Sequence, residues 1–351
     1  MTNWLTDRPR TVRFLGDNPI VAVDIGARGG FDEALASLAP FVDMVGFEPE
    51  PAEAHALRSS SAGPWRSLTV LEYAVGGAVE PALLYLPDTP ESASLLPHNS
   101  IMADWFGTDS MHRSRRTLEV KTTTLDALAE SGTLTVAHYV KIDVEGAELA
   151  ILEAGRTLLE TALCLKIEAS FLEQRLRQPL LWEVARALAS SGFLVVDLLD
   201  IQYLRRHRQP AHPLAGRGFL PWSRGVIAQA DILAFRDFRR VEDAATFARL
   251  VFVAAAQGYA DLAAIMIDSR RDLARAAATE HGLDLMQDVR AASRAGAKTQ
   301  PWRALTRHAK WIVPLIRSVG GGIPGAATDG PARAPWGIGP VRPGTDGTDQ
   351  P

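Results

Sequence analysis

The chain of 351 residues has one cysteine, Cys164, and that scarcity removes two classes of protein. Neither an internal disulfide framework nor a cysteine-rich metal centre can be built from a single thiol. Cys164 lies in the apolar run Ala162-Leu163-Cys164-Leu165, so a buried, inert thiol is expected. No apolar run reaches the length of a membrane span, and Met1 to Phe14 lacks the apolar core of a signal peptide. A basic excess is missing as well. The formal net charge of −4 gives no reason to expect a nucleic-acid partner. These absences leave a cytoplasmic enzyme as the expectation. With 47% hydrophobic residues, the chain is long enough for one large α/β domain and an addition to it.

What is present is organised around Val21-Ala22-Val23-Asp24-Ile25-Gly26-Ala27-Arg28-Gly29-Gly30. Ile20 to Val23 is a β-branched run that fits a strand buried on both faces, and helical spacing begins at Phe31. Strand, glycine turn, helix is the geometry that brings backbone N–H groups close to a nucleotide. A dinucleotide fingerprint starting at Gly26 needs glycines where Arg28 and Phe31 stand, and a phosphate-cradling Gly-Lys-Ser/Thr is absent. An acid two residues before a loose glycine cluster suits a ligand with a cation and a ribose but no pyrophosphate. S-adenosylmethionine is such a ligand.

The first strand is followed by an expected helix over about 32–38, a strand over 43–48, a helix over 52–58 and a strand over 68–75. That is βαβαβ, half of a doubly wound sheet. Leu83 to Leu86 and Leu118 to Thr123 read as extra strands flanking a polar loop, 88–116, that suits a lid or substrate loop. Thr124 is a plausible N-cap for a helix over 125–130. Strands over 138–142, 162–167, 193–199 and 231–235 complete the sheet, with helices over 146–159 and 182–190 between them. Past Val241 the composition shifts to alanine, leucine and arginine, with helices over 244–256 and 260–277. The expected organisation is a lead-in segment 1–18, a catalytic domain 19–238, a helical appendage 239–319 and a disordered tail 320–351. Residues 302–318 are apolar and basic together, which fits docking on the protein's own surface or, less readily, contact with a membrane surface.

Glu48 ends the second strand, where a carboxylate beside the glycine turn can accept both hydroxyls of a ribose. A dehydrogenase uses an acid there in the same way. Asp143 and Glu145 stand at the carboxyl end of the fourth strand, across the switch-point crevice from the turn, and Glu168 follows the fifth. Three acids can hold a divalent cation, but no further acid or histidine is clearly placed to complete such a site, so no metal is expected.

The strings DIGARGG, GFEPEP, TTTLDAL and VKIDVEGAELAILEAG, in this order, resemble the FkbM-type S-adenosylmethionine-dependent methyltransferases over about residues 18–236. The segment Glu91-Ser92-Ala93-Ser94 is a looser version of a serine-rich stretch in that family. The resemblance implies a class I methyltransferase fold, a Rossmann-like, mostly parallel seven-stranded sheet. It also implies O-methylation of a hydroxyl on a sugar, glycan or natural product. The residues assigned to S-adenosylmethionine are Asp24, Gly26, Ala27, Gly30, Glu48, Pro49 and Asp143, with Asp143 and Glu145 lining the reaction centre as catalytic acids. Two rivals remain at this point: a nicotinamide-dependent dehydrogenase, and a non-catalytic cofactor-binding scaffold that recruits a partner through its C-terminal helices.

Overall fold

The computed structural model describes residues 4–5, 7–59, 63–205 and 225–297. After helix α1 (Pro9–Asp17) the chain enters β1 (Ile20–Ile25), then β2 (Val42–Phe47), α2 (Pro51–Ser59) and β3 (Ser67–Leu71). The three strands pair in parallel, β1 with β2 and β2 with β3. A small second sheet follows, in which β4 (Ala74–Val75) and β5 (Pro81–Pro87) flank β6 (Ser114–Thr123). Between β5 and β6 stand two short helices, α3 (Ser100–Phe106) and α4 (Asp109–His112). Asn99 caps α3 by accepting the Ile101 and Met102 N–H groups.

The chain then returns through α5 (Leu125–Glu130), β7 (Tyr139–Ile142), α6 (Glu148–Glu153), α7 (Arg156–Leu159), β8 (Cys164–Ser170) and α8 (Leu181–Ser190). It finishes the sheet with β9 (Phe193–Leu204) and β10 (Val226–Arg236). Strand order is β3-β2-β1-β7-β8-β10-β9, with β10 antiparallel to both neighbours. This is the doubly wound, mostly parallel seven-stranded sheet that the sequence predicts. The order reverses between β1 and β7, so their carboxyl ends open a crevice between them.

One face of the sheet packs Val23, Ile25, Val140, Ile142 and Ile167 against α5 to α8 in a continuous apolar core. The opposite face is covered by α9 (Ala244–Ala256), in which Phe247, Ala248 and Leu250 to Ala254 are buried. The rings of Trp4 and Phe14, from the N-terminal segment, lie 6.2 and 6.0 Å from that of Phe252. Gln257 reaches the Cys164 thiol at 3.2 Å, and burial pushes that thiol up to about 12. The helices expected as an appendage therefore begin as the second outer layer of the sheet, and residues 1–293 form one compact unit. α10 (Ala260–Ser269), α11 (Arg271–His281) and a helix over 285–297 follow. No helix among the described residues is long and apolar enough to cross a membrane. The membrane-contact segment 302–318 and the tail 320–351 lie outside the described residues.

Several expected helices are corrected. No α-helix follows β1: residues 31–35 are irregular, and a 3₁₀ turn, Ala36–Phe41, leads into β2. Asp32 is the reason. Its N–H donates to Asp24 at 2.8 Å, while its carboxylate accepts from Lys166 at 2.8 Å and Tyr139 at 3.1 Å. The segment is thus pinned across the sheet instead of winding, and Pro40 lacks an N–H to extend a helix. The helix expected over 146–159 breaks into α6 and α7 at Gly155, where a Cβ would lie 2.8 Å from Leu125. The helix expected over 260–277 divides at Arg270, whose guanidinium donates to the Val241 carbonyl at 2.7 Å.

Candidate active site

The site begins with a glycine that no other residue replaces. Gly26 has φ +89°, and a Cβ there would stand 1.9 Å from the Asp143 carbonyl oxygen. Only glycine lets the turn after β1 touch the end of β7, where the Asp143 N–H donates to the Ile25 carbonyl at 3.0 Å. Together with the end of β2 these turns border a cavity of about 550 Å³ including its mouth. Its walls include Gly26, Arg28, Glu48, Pro49, Ser94 and Asp143.

Glu48 is 2% exposed and lines this cavity. Its Oε1 accepts the Glu50 N–H at 2.8 Å, and burial raises its carboxyl above the usual range despite that bond and nearby Arg28. Glu50 accepts from Arg28 at 2.8 Å and from Arg116 at 2.7 Å, which joins the glycine turn to β6. The insert between β5 and β6 supplies Glu91, Ala93, Ser94 and Leu95 to the opposite wall.

Of the residues assigned from sequence, Gly26, Glu48, Pro49 and Asp143 meet at the cavity. Ala27 is buried behind the turn, donating to the Phe47 carbonyl at 3.2 Å, and Gly30, at φ +136°, closes a turn onto Ala27. Asp24 is 1% exposed and is not part of the cavity wall; its carboxylate lies between the Asp32 N–H and the Lys141 ammonium at 3.3 Å. Burial pushes its carboxyl up to about 6.

Asp143 and Glu145 diverge. The Asp143 carboxylate is 39% exposed and lies 3.3 Å from Lys141 Nζ. Glu145, at φ +58°, turns inward to Arg175, whose guanidinium is fully buried and donates to its Oε2 at 3.3 Å. Arg175 also donates to the carbonyls of His112 and Ser92, and the Ser94 hydroxyl donates to the Glu145 carbonyl at 2.7 Å. This clasp ties both ends of the insert to the turn after β7. No motif in the sequence marks Arg175. Glu168 accepts from Gln229 at 2.5 Å, and burial, with Asp143, Glu145, Glu148 and Asp231 around it, holds its carboxyl well above the usual range. Among the described residues no group of acids, histidines and cysteine is placed to hold a metal ion. His98 and His112 belong to the insert, and burial lowers both, His112 to about 3.

Glu148 closes the turn from below by accepting the Gly146 N–H at 2.9 Å and the Val144 N–H at 3.3 Å. Burial pushes its carboxyl up to about 7 from 4.5. A folded-state value above the unfolded one means that the associated stability is present below 4.5 and lost as the pH rises through 7. Glu148→Gln has no such dependence. Relative to wild type it should gain about 2–3 kcal/mol as the pH is raised from about 4.5 to about 8, read from denaturant unfolding. A difference that does not change with pH would contradict the buried, high-pKa carboxyl.

Residues 24–195 match the model of the Methyltransferase FkbM domain. No curated protein matches the chain at a significant level. Among solved structures, it is similar to the magnesium protoporphyrin IX methyltransferase of Synechocystis PCC 6803 with bound SAM, at 9% identity and TM-score 0.29, over 66% of this chain and 79% of that one. It is also similar to a putative tRNA (m1A22) methyltransferase of Streptococcus pneumoniae, at 10% identity and TM-score 0.31, over 81% and 98% of the two chains.

Proposed function

Since the chain belongs, through residues 24–195, to the FkbM methyltransferase family, we propose that it is an O-methyltransferase acting on a hydroxyl of a sugar, glycan or natural product, in the cytoplasm. The methyl donor is S-adenosylmethionine, which supplies an electrophilic methyl group on a sulfonium. The observation that carries the reading is the meeting of Gly26, Glu48 and Asp143 on one cavity, with no α-helix behind the glycine turn. Glu48 is the carboxylate for the ribose hydroxyls, and Gly26 leaves the close approach that a side chain would fill. The acids at the cavity suit a donor that carries positive charge. A dinucleotide places its pyrophosphate on the N-terminus of a helix that follows the turn, and this turn leads into none, which disfavours the dehydrogenase reading.

Asp143 is the acid placed to take the acceptor proton, since it lines the cavity and its side chain is 39% exposed, while Glu145 is committed to Arg175. Alignment of acceptor oxygen, methyl carbon and sulfur supplies the larger share of the acceleration. The Glu91 to Leu95 wall, held by Ser94 and the Arg175 clasp, is the side on which an acceptor is aligned.

Calorimetry should show one S-adenosylmethionine bound per chain, and Glu48→Ala should weaken binding by about 1–3 kcal/mol. Labelled methyl groups should pass into fractionated glycans or small metabolites of the source cell. Normal cofactor binding with no labelled product in any fraction would favour the scaffold, and stabilisation by NAD alone would favour the dehydrogenase.

A further inference from the structure

We propose that Lys141 is a positioning residue of the transfer site, whose ammonium holds the Asp143 carboxylate at the cavity and anchors it to the buried Asp24. The inference rests on the reading that Asp143 belongs to that site. Lys141 Nζ lies 3.3 Å from Asp24 Oδ1 and 3.3 Å from Asp143 Oδ2. Asp24 and Lys141 are register partners on β1 and β7, so the sheet itself sets the first contact. The other oxygen of Asp24, Oδ2, holds the Asp32 N–H at 2.8 Å. The hydrogen bond from Asp32 fixes the position of this carboxylate, and the ammonium it locates locates Asp143 in turn.

The surroundings of Asp143 explain why a cation is needed there. Glu145 and Glu148 face it from the following turn and α6, Glu168 from β8 and Asp231 from β10. Glu48, Glu91 and Arg28 share the cavity with it, but Arg28 is paired with Glu50. Lys166, in register with Lys141 on β8, is held by Asp32 at 2.8 Å and Asp231 at 3.2 Å. Lys141 is thus the cation in ion-pair contact with Asp143 among the described residues. Burial alone would lower the Lys141 ammonium, but Asp24 and Asp143 raise it above the ordinary lysine value and keep it charged. Without that ammonium, the Asp143 side chain loses the contact that fixes its direction.

The test is the rate of methyl transfer to the acceptor found by label transfer, with S-adenosylmethionine binding by calorimetry in parallel, in wild type, Asp143→Asn, Lys141→Arg, Lys141→Gln, and Lys141→Met combined with Asp24→Asn. The last pair leaves no buried carboxylate without a partner, and Lys141→Gln gives the same comparison if the pair does not fold. Removing the ammonium should lower kcat by about ten-fold or more through misplacement of the Asp143 carboxylate, with affinity for S-adenosylmethionine within a few-fold of wild type. Lys141→Arg should restore most of the rate, which a purely structural role would not require. A folded, charge-free variant with the wild-type kcat overturns the proposal alone. Asp143→Asn with the wild-type kcat overturns it together with the place of Asp143 in the site.

Discussion

In Asp143→Asn, methyl transfer should fall by about 10²–10⁴-fold, while affinity for S-adenosylmethionine stays within a few-fold of wild type. The first half follows from chemistry: a hydroxyl ionises far above neutral pH, and the variant amide cannot accept its proton. The second follows from geometry. Asp143 shares the cavity with Gly26 and Glu48, and neither the turn at Gly26 nor the carboxylate at Glu48 depends on its charge. Glu145→Gln is expected to behave differently, because its carboxylate meets Arg175 and not the cavity. Its loss should appear in stability at least as much as in turnover. Initial rates on the acceptor found by label transfer, with calorimetry in parallel, decide the matter. Full turnover in Asp143→Asn would leave alignment as the whole of the catalysis.

Replacing Arg175 by methionine should cost about 3–5 kcal/mol of stability, the scale for leaving one member of a buried ion pair alone. Arg175 is fully buried, and three acceptors would be stranded: Glu145 Oε2 and the carbonyls of His112 and Ser92. Those acceptors join the turn after β7 to both ends of the insert, so the loss should also loosen the Glu91 to Leu95 wall of the cavity. Combining Arg175→Met with Glu145→Gln removes the unpaired charge and should recover part of the loss. Denaturant midpoints of the two variants measure the effect. A drop of less than about 1 kcal/mol in the single variant would show that water replaces the guanidinium there and that the clasp is not what holds the insert.

Much of the scaffold was readable from local pattern. The apolar runs of β1, β2, β7 and β8, each closed by an acid, glycine or proline, appear as strands within one to three residues of expectation. α9 starts after Asp243, whose carboxylate accepts the Thr246 N–H at 2.8 Å, and covers the expected span 244–256. Lys141 was readable and missed: an acid on β1 and a lysine on β7, in strands that topology makes neighbours, imply a pair. Glu145 and Arg175 were not readable, because their contact joins residues thirty positions apart and turns a non-glycine residue to φ +58°.

Sequence by itself therefore determined the sheet, its switch point, the glycine that must stand at position 26 and the acids at the ends of β2 and β7. Each of these depends on hydrophobic period and turn chemistry within a few residues. Tertiary structure decided which acids reach the cavity. Asp24 and Asp143 are both acids at strand ends, yet one is buried against Lys141 and the Asp32 N–H, and the other is left at the cavity wall. Burial and ion pairing are properties of what packs against a side chain. At this site the partners arrive from as far as residues 141, 166 and 175, positions that no local pattern connects to the glycine turn.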